Sequence, residues 1–500
     1  METSDNRMDA FLRKASHHRL VPLVREMPGD LDTPLGCYMK VKNAYPGSES
    51  FLLETAEAGK MTGRYSIIGI DPLFIFSSHG TRISMKGVME GEKVSEDPFG
   101  ELRAALKRLA PAPVPEAAGF PGGLVGYVGY DMVRFFESLS DKKPPDMDMP
   151  DLCFLFPEKL VVIDSFTGNR TLVEFVHIGP KENPLGAYRR GEGLLDGLVR
   201  AVEAPLPRVG PPAFTVSTPQ SLVSREDFED AVRKIKDRIV AGDVIQVVLS
   251  QRFTCSLEGD SLSLYRALRR INPSPYMFLL DLVDHSLIGS SPETLVRLGG
   301  GRMELKPIAG TRRRGRDIRE DRDLERELLA DEKERAEHVM LVDLARNDAG
   351  KAARTGTVEV RDLMSVDRFS HVMHIVSSVQ AEIAEGLDAF DVFRAAFPAG
   401  TVTGAPKVRA MEIIDELERH RRGFYAGAVG YFAANGDMDF CITIRTMLKK
   451  DGFVYFQAGA GIVADSVPHR EYEETLFKSQ ALVNALTNGN GGETDASYDR

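Results

Sequence analysis

The chain has 500 residues, of which 43% are hydrophobic and 27% are charged. This composition is that of an ordinary globular protein of about two to four domains, and it excludes a collagen-like or wholly disordered chain. The formal net charge of −11 disfavours a nucleic-acid-binding protein, which would present a basic face.

The sequence carries no signal for export or membrane insertion. Residues 1–25 mix charges and lack the apolar run of a signal peptide, and no stretch approaches the ~18 apolar residues of a membrane span. Cys37, Cys153, Cys255 and Cys441 are far apart and form no CxxC pair, so neither a disulfide framework nor a zinc site is predicted. We therefore expect a cytoplasmic protein without a membrane or nucleic-acid partner.

The N-terminal part is predicted to be rich in strands. An N-terminal extension at 1–29 precedes a first domain at 30–203, and the Pro-rich segment 204–221 is predicted to be a linker. The polar, Pro-containing patch 141–151 predicts a surface loop. Short β-branched or aromatic runs between turns predict strands at 50–55, 65–70, 73–78 and 159–165.

The second domain, 222–487, mixes helices and strands. Ser224 is the predicted N-cap of a helix over 225–241, and Asp227 completes an acidic variant of the capping box. Strands are predicted at 245–255, 276–282, 423–433 and 453–463, and helices at 331–348 and 467–485. The Gly- and Asn-rich tail 488–500 is predicted to be disordered. The chain is therefore predicted to be a mixed α/β protein with large sheets.

Common nucleotide and hydrolase motifs are absent from the sequence. The glycines of GGLVGYVGY (122–130) do not match the dinucleotide fingerprint, and GTVTGAPK (400–407) lacks the Gly-Lys-Ser/Thr ending of a P-loop. Neither a GxSxG elbow nor an HExxH motif occurs. Nucleotide-driven and serine-hydrolase chemistry are therefore disfavoured.

Two predicted helices each carry a pair of glutamates three residues apart. Glu334 and Glu337 form one pair, and Glu471 and Glu474 form the other. This spacing puts both members of a pair on one helical face. Two such faces could hold Mg²⁺, which prefers oxygen ligands, keeps several waters and is usually completed by an anionic substrate. Either motif alone is better explained as a solvated helix surface.

Neighbouring Gly-rich segments favour the binding interpretation. The run AGAG at 458–461 ends a predicted strand, where consecutive backbone N–H groups could form an anion nest. In PIAGTRRRG (307–315), Gly310 and Thr311 precede a basic run. Both segments could therefore bind an anionic substrate beside the glutamate pairs.

Two isolated polar features point the same way. Arg445 lies in a run predicted to be an apolar strand, where an unpaired charge is costly, so we expect an anionic partner. That partner is either a substrate carboxylate or one of Asp437 and Asp439. His371 and His374 lie three apart, and a general base is the better functional interpretation for one of them.

Together these motifs resemble the large subunit (component I) of anthranilate synthase, a chorismate-utilising enzyme family. The resemblance covers roughly residues 30–485 and rests on LLETA (52–56), RYSIIG (64–69), GSSPETLVRL (289–298), PIAGTRRRG (307–315), AEHVMLVDLARND (336–348), PAGTVTGAPKVRAMEII (398–414), GAVGYF (427–432), CITIRT (441–446), QAGAGIVADSVP (457–468) and EYEETLFK (471–478). It implies an α+β fold in which large antiparallel sheets pack as a sandwich with helices outside. It also implies that 30–203 is a regulatory domain and 222–487 a chorismate-binding catalytic domain.

Two positions select a reaction within this family. Relatives that form isochorismate or salicylate have a water-activating Lys where this chain has Gln246, and Gln cannot act as a base at neutral pH. Aminodeoxychorismate synthases have a nucleophilic Lys in PIKGT, where this chain has Ala309. The resemblance therefore implies attack by ammonia, loss of the ring hydroxyl, and then pyruvate elimination.

The resemblance also implies roles for individual residues. Glu337 and Glu474 resemble Mg²⁺ ligands, assisted through water by Glu334 and Glu471. The implied catalytic residues are Glu293 as the acid for the leaving hydroxyl, His374 as the base for the ring proton, and Thr403 as a positioning hydroxyl. The implied substrate contacts are Gly310, Thr311, Tyr425, Arg445, Gly459, Ala460, Gly461 and Lys478.

A regulatory site and a partner are implied as well. Glu54, Thr55, Pro275, Tyr276 and Met277 match the family's tryptophan pocket, and Thr55 replaces the usual Ser, which predicts weaker inhibition. No cysteine lies in a Gly-rich nucleophile loop, so a separate glutamine amidotransferase subunit is the expected ammonia source, in a hetero-oligomer. The alternatives are an enzyme that stops at aminodeoxyisochorismate and a non-catalytic homologue.

Overall fold

The structure is a computed structural model that describes residues 4–55, 64–115, 119–139, 143–144, 146–368 and 372–487. The predicted tail and His371 lie outside these residues, as does part of the loop predicted at 141–151. The helices are α1 (Ser4–Ala15), α2 (Pro34–Ala44), α3 (Pro98–Leu109), α4 (Pro184–Glu203), α5 (Arg225–Val240), α6 (Ser261–Ile271), α7 (Ile318–Ala330), α8 (Glu332–Gly350), α9 (Ala389–Ala396), α10 (Lys407–Leu417) and α11 (Pro468–Thr487).

The strands are β1 (Leu20–Pro28), β2 (Ser50–Glu54), β3 (Tyr65–His79), β4 (Arg82–Gly87), β5 (Gly91–Val94), β6 (Gly123–Val128), β7 (Leu152–Asp164), β8 (Asn169–His177), β9 (Thr215–Val216), β10 (Gln220–Ser221), β11 (Gln246–Glu258), β12 (Tyr276–Asp281), β13 (His285–Ser291), β14 (Thr294–Gly299), β15 (Arg302–Leu305), β16 (Ile308–Arg313), β17 (Glu359–Arg368), β18 (Val372–Glu382), β19 (Gly404–Ala405), β20 (Ala428–Ala433), β21 (Met438–Ile442), β22 (Thr446–Lys450) and β23 (Phe453–Ile462). Two short 3₁₀ helices span Tyr130–Phe135 and Gly400–Val402.

One antiparallel network connects the two predicted domains. β12 pairs with β2, and β20 pairs with β6, so strands from both halves of the chain lie side by side. β1, from the predicted extension, pairs with β8 over nine residues from Leu20 to Pro28. Within the predicted linker, β9 and β10 pair with β11. The domain boundaries themselves remain a prediction.

The sheet is buried on both faces, which confirms the predicted α+β class. Along β12, Phe278 and Leu280 join a core that also contains residues of β6, β14, β20 and β21. Met277 and Leu279 alternate with them and join a second core, which is covered by helices that include α2, α4, α6 and α11. One core thus lies between sheet layers, and the other lies between the sheet and the outer helices.

The helices follow their local sequence signals. Ser224 accepts a hydrogen bond from the backbone N–H of Asp227 and caps α5 as predicted. Phe228, Val232 and Ile235 then recur at helical spacing and are buried on one face. None of the described helices is both long and apolar enough to cross a membrane.

Three strand predictions need correction. The runs at 65–70 and 73–78 form the single strand β3, whose register shifts between Pro72 and Phe74. Residues 423–427 precede β20 rather than belong to it. The carbonyl oxygen of Gly423 accepts a hydrogen bond from the backbone N–H of Tyr130, outside the sheet ladder. Arg445 does not lie in a strand: with a left-handed φ of 50° it lies in the short break between β21 and β22, which run in the same direction opposite β14 and β13.

Candidate active site

The floor of the site is the pair of strands β11 and β23. Gly459, Ala460 and Gly461 lie opposite Ser250, Leu249 and Val248. A Cβ built on Gly461 would fall 2.5 Å from Nε2 of Gln246, and one on Gly459 would fall 2.8 Å from the Tyr425 hydroxyl. The predicted Gly-rich run therefore lets two polar side chains lie directly against a strand backbone.

Side chains of both glutamate-bearing helices contact this floor. Nε2 of Gln246 lies 3.4 Å from Oε1 of Glu337 on α8. On α11, Lys478 donates to the carbonyl oxygen of Gly459 at 3.2 Å and lies 2.6 Å from Glu474. The structure thus brings one glutamate of each predicted pair to the same strand pair.

Glu334 and Glu471, the other members of the two pairs, share an electrostatic environment. Burial and the neighbouring Glu337 raise the pKa of Glu334, and burial and the neighbouring Glu474 raise the pKa of Glu471. Lys333 acts on both Glu334 and Glu471, which places the N-terminal turns of α8 and α11 near each other. Negative charge is therefore concentrated between the two helices.

The donor set fits Mg²⁺ only if water and substrate complete it. No three His, Cys, Asp or Glu side chains in the described ranges are grouped so that they alone could hold a metal ion. The four half-buried glutamates nevertheless supply only oxygen donors, which suit this ion. Because Mg²⁺ commonly takes one or two carboxylates together with waters and an anionic substrate, the arrangement is compatible with it.

Glu293 lies in the loop between β13 and β14 and is only 8% exposed. Burial raises the pKa of Glu293 to about 7, although Thr401 and Lys478 act in the opposite direction. A carboxyl group with this pKa is protonated in a large fraction of molecules near neutral pH. It can therefore donate a proton to a leaving group.

His374 on β18 is oriented by its neighbours on β16. Its Nδ1 lies 3.0 Å from the Thr311 hydroxyl and 3.0 Å from the carbonyl oxygen of Gly310. Burial lowers the pKa of His374, and the Arg445 charge lowers it further. The ring is therefore neutral near pH 7 and can accept a proton.

Gly310 occupies a position that other residues would strain. Its φ of +61° is left-handed, and a Cβ there would meet Leu328 at 3.0 Å and Oε2 of Glu334 at 3.2 Å. This close approach brings the strand that orients His374 next to the glutamates of α8.

Arg445 has no counter-ion within the described part of the chain. Asp439, one predicted partner, lies 3.0 Å from Arg297, and Asp437 accepts from the backbone N–H of Gly300. Burial lowers the pKa of Arg445, and the charge acts on both Tyr425 and His374. The salt-bridge alternative is therefore wrong, and the guanidinium faces the site.

Comparison with known proteins identifies the family. The model of the chorismate binding enzymes matches residues 34–484. Anthranilate synthase component 1 from Aquifex aeolicus is 46% identical over 485 residues, which cover 95% of this chain and 96% of that protein. The chain belongs to the chorismate-binding enzymes. The predicted resemblance to anthranilate synthase component I, an enzyme of the lyase class, is confirmed.

Solved structures of chorismate-binding enzymes share the fold. Anthranilate synthase component I from Streptococcus pneumoniae superposes with a TM-score of 0.73 at 36% identity, covering 85% of this chain and 94% of that chain. A menaquinone-specific isochorismate synthase from Escherichia coli gives a TM-score of 0.70 at 19% identity, covering 96% and 99%. Because both proteins share this fold, the reaction must be argued from individual residues.

The two threonines of the run at 400–404 have different surroundings in the structure. Thr403 is completely buried, and its hydroxyl donates to the carbonyl oxygen of Ala399 at 2.9 Å, so it supports the turn. Thr401, two residues earlier, interacts with Glu293 instead. The sequence prediction missed Thr401, because two threonines in one Gly-rich run give no signal of which one faces the site.

The predicted regulatory residues of this chorismate-binding enzyme are only partly brought together. Glu54 lies opposite Met277 in the β2–β12 pair, and its carboxylate is bound by Arg269 at 2.6 Å and by the Tyr265 hydroxyl. Thr55 directly follows Glu54, and Pro275 directly precedes β12. The side chain of Tyr276 points to the other face of β12, where its hydroxyl donates to Asp439 at 2.8 Å.

Proposed function

We propose that this chain is the synthase subunit of an anthranilate synthase. It would convert chorismate and ammonia into anthranilate and pyruvate, the first step of tryptophan biosynthesis. The observation that carries the proposal is the pair Gln246 and Ala309. Gln246 contacts Glu337 at the floor of the site, and Ala309 lies on β16 next to Gly310, so neither position supplies an amine. Water activation and covalent attack by lysine are both disfavoured.

Substrate binding uses the charges that the protein leaves without a counter-ion. Arg445 and the Tyr425 hydroxyl would bind the enolpyruvyl carboxylate. The Tyr425 hydroxyl lies against Gly459, the Arg445 charge acts on Tyr425, and Arg445 lacks a counter-ion among the described residues. Backbone N–H groups of 459–461 and the Lys478 ammonium would add further contacts. The Gly310–Thr311 backbone would lie along the ring.

The metal would be held by Glu337 and Glu474, with Glu334 and Glu471 acting through water. When bound, Mg²⁺ would supply positive charge to the ring carboxylate. This role matches the concentration of half-buried glutamates between α8 and α11.

The first chemical step needs an acid. Ammonia attacks the ring carbon ortho to the carboxylate, the double bonds shift, and the ring hydroxyl departs. Glu293 donates its proton to that hydroxyl, which leaves as water. The Thr401 hydroxyl lowers the pKa of Glu293, so it favours the carboxylate that this donation leaves behind.

The second step needs a base. His374 removes the proton from the aminated ring carbon while the bond from the ring to the enolpyruvyl oxygen breaks. The leaving group departs as the enolate of pyruvate, which becomes pyruvate when its methylene carbon takes up a proton, and the ring becomes aromatic. Contacts of Nδ1 with Thr311 and Gly310 orient the imidazole so that the opposite nitrogen, Nε2, can accept this proton.

Tryptophan inhibition and a glutaminase partner complete the proposal. Glu54 and Met277 share a face of the β2–β12 pair, where an amino group could meet the buried carboxylate. The name component 1 that the relatives carry agrees with a separate subunit that supplies ammonia from glutamine.

The proposal is tested with the purified chain, chorismate and Mg²⁺, using ammonium or glutamine as the nitrogen source. We expect fluorescent anthranilate and an equal amount of pyruvate with ammonium and none with glutamine. Release of an aminated product that retains the enolpyruvyl group would instead identify an aminodeoxyisochorismate synthase. Failure to consume chorismate under any of these conditions would identify a non-catalytic homologue.

A further inference from the structure

A buried histidine follows directly after the proposed metal ligand Glu337. His338 is completely inaccessible to solvent, and its Nε2 lies 2.6 Å from the hydroxyl oxygen of Ser377, which is equally buried. This hydrogen bond joins α8 to β18. The mechanism above gives neither residue a part, although α8 carries Glu337 and β18 carries His374.

Ser377 connects more than these two elements. Its hydroxyl oxygen accepts from the backbone N–H of Met364 on β17 at 2.9 Å. Its own backbone N–H donates to the carbonyl oxygen of Pro307, the residue that precedes β16. β16 in turn carries Gly310 and Thr311. The single hydroxyl therefore lies where α8, β17 and β18 meet, close to the start of β16.

The hydrogen bond between His338 and Ser377 links the two elements that carry Glu337 and His374, which are proposed to act on one substrate. Glu337 lies one residue before His338, and His374 lies three residues before Ser377. A displacement of about 1 Å between groups that act on the same substrate can reduce a rate by ~100-fold. We propose that His338 is a positioning residue that, through Ser377, fixes the glutamates of α8 relative to His374. This inference rests on the proposed function.

A positioning role differs from a packing role in what its loss changes. If His338 only fills space, its replacement lowers thermal stability and leaves catalytic ratios unchanged. If it positions α8 against β18, two further quantities change. The Mg²⁺ concentration for half-maximal rate rises, and more aminated intermediate leaves before pyruvate is eliminated.

The test compares two substitutions that keep the side-chain volume similar. His338→Leu removes the hydrogen bond, whereas His338→Gln places an amide nitrogen near the position of Nε2 and can restore it. We expect His338→Leu to raise the half-maximal Mg²⁺ concentration and the released fraction of intermediate, each by about tenfold. His338→Gln should stay within about threefold of the unmodified enzyme. Val339→Ala, at a neighbouring exposed position, is the control.

A second variant guards against simple unfolding. Ser377→Ala removes the other end of the bond with little change in volume. If the two residues act together, the double variant His338→Leu/Ser377→Ala should be no worse than the poorer single variant. Additive losses, or a less stable His338→Leu enzyme with normal Mg²⁺ dependence and normal product ratio, would overturn the proposal.

Failure of the proposed function gives a different result. In that case the unmodified chain makes no anthranilate from ammonium. Mn²⁺ binding in the presence of chorismate, followed by electron paramagnetic resonance, then tests the positioning role without turnover. Binding weakened about tenfold in His338→Leu and restored in His338→Gln supports the inference, and equal binding in all three proteins refutes it.

Discussion

The catalytic site and the region around Glu54 differ in whether their charged side chains have ion-pair partners within the protein. The Glu54 carboxylate is paired with Arg269 and also accepts the Tyr265 hydroxyl, so the fold itself satisfies it. Glu293 is buried and Arg445 is partly buried, yet neither forms an ion pair within the described part of the chain. A buried charge that the fold neutralises is held in place, whereas one that it leaves uncompensated is available to a substrate.

The largest expected effect on the catalytic site comes from substituting the glutamates proposed to bind the metal. Glu337→Gln or Glu474→Gln should lower the rate by about 100-fold or more, because each removes a proposed metal ligand while keeping its shape. Steady-state rates over a range of Mg²⁺ concentrations measure the loss. Glu473→Gln, at an exposed position of α11 next to Glu474, is the matched control and should change the rate little.

The assignment of the acid predicts opposite effects on activity and stability. Glu293→Gln should lower kcat by about 100-fold or more, since the amide cannot donate the proton. Because the pKa of Glu293 is raised, the folded protein disfavours its ionised form. That penalty is absent below the unfolded pKa of 4.5, grows as pH rises towards the folded pKa of about 7, and is fully present above it.

The same variant should therefore be more stable than the unmodified protein in alkali. The change in pKa from 4.5 to about 7 corresponds to about 3 kcal/mol. Thermal unfolding at about pH 8.5, compared with about pH 5.5 where roughly 1 kcal/mol of this penalty is already present, should show a difference of about 2 kcal/mol between the two pH values. A variant with no gain in midpoint at the higher pH would show that Glu293 is ionised without penalty in the folded protein.

His374→Ala should separate the two chemical steps. Amination should continue, while pyruvate release should slow by about 100-fold, so the aminated intermediate accumulates. Mass analysis of quenched reactions distinguishes the intermediate from anthranilate. If both steps slow equally and no intermediate appears, His374 is not the base for the ring proton.

The dependence of the rate on pH should reflect the shifted pKa values of both His374 and Glu293. Activity should rise as pH passes the lowered pKa of His374, which lies below 6.5, and fall as pH passes about 7, where Glu293 loses its proton. The rate must be expressed per free ammonia, since the free amine increases with pH. A rate per free ammonia that does not fall in alkali would contradict the acid role of Glu293.

The smallest expected effect concerns the region around Glu54. Thr55→Ser removes one methyl group from the proposed tryptophan pocket, and crowding by an extra methyl group costs about 1 kcal/mol. If that methyl crowds the ligand, half-maximal inhibition should occur at about fivefold less tryptophan. Unchanged inhibition would show that the methyl group does not contact the ligand.

The sequence could predict those parts of the site that have a local signal. A cap at Ser224 starts α5, and glutamates three apart share a helical face on α8 and α11. A Gly-rich run marks the backbone at 459–461. Each signal depends on residues within a few positions of one another, so it can be recognised without knowledge of the tertiary structure.

Long-range placement could not be predicted in this way. The choice between Thr401 and Thr403 depends on how a turn between α9 and α10 meets Glu293, which is more than one hundred residues earlier. Tyr276 and Met277 adjoin in sequence but face opposite sides of β12, because side chains alternate along a strand. Arg445 leaves its predicted strand because its left-handed φ interrupts the ladder between β21 and β22.

The identity of the attacking nucleophile is the central claim, and isotope incorporation tests it most directly. The unmodified chain is incubated with chorismate, Mg²⁺ and heavy-nitrogen ammonium in heavy-oxygen water, and the ring product is analysed by mass spectrometry. We predict anthranilate that carries the heavy nitrogen and no heavy oxygen on the ring. A hydroxylated ring product that carries oxygen from the water would contradict the account.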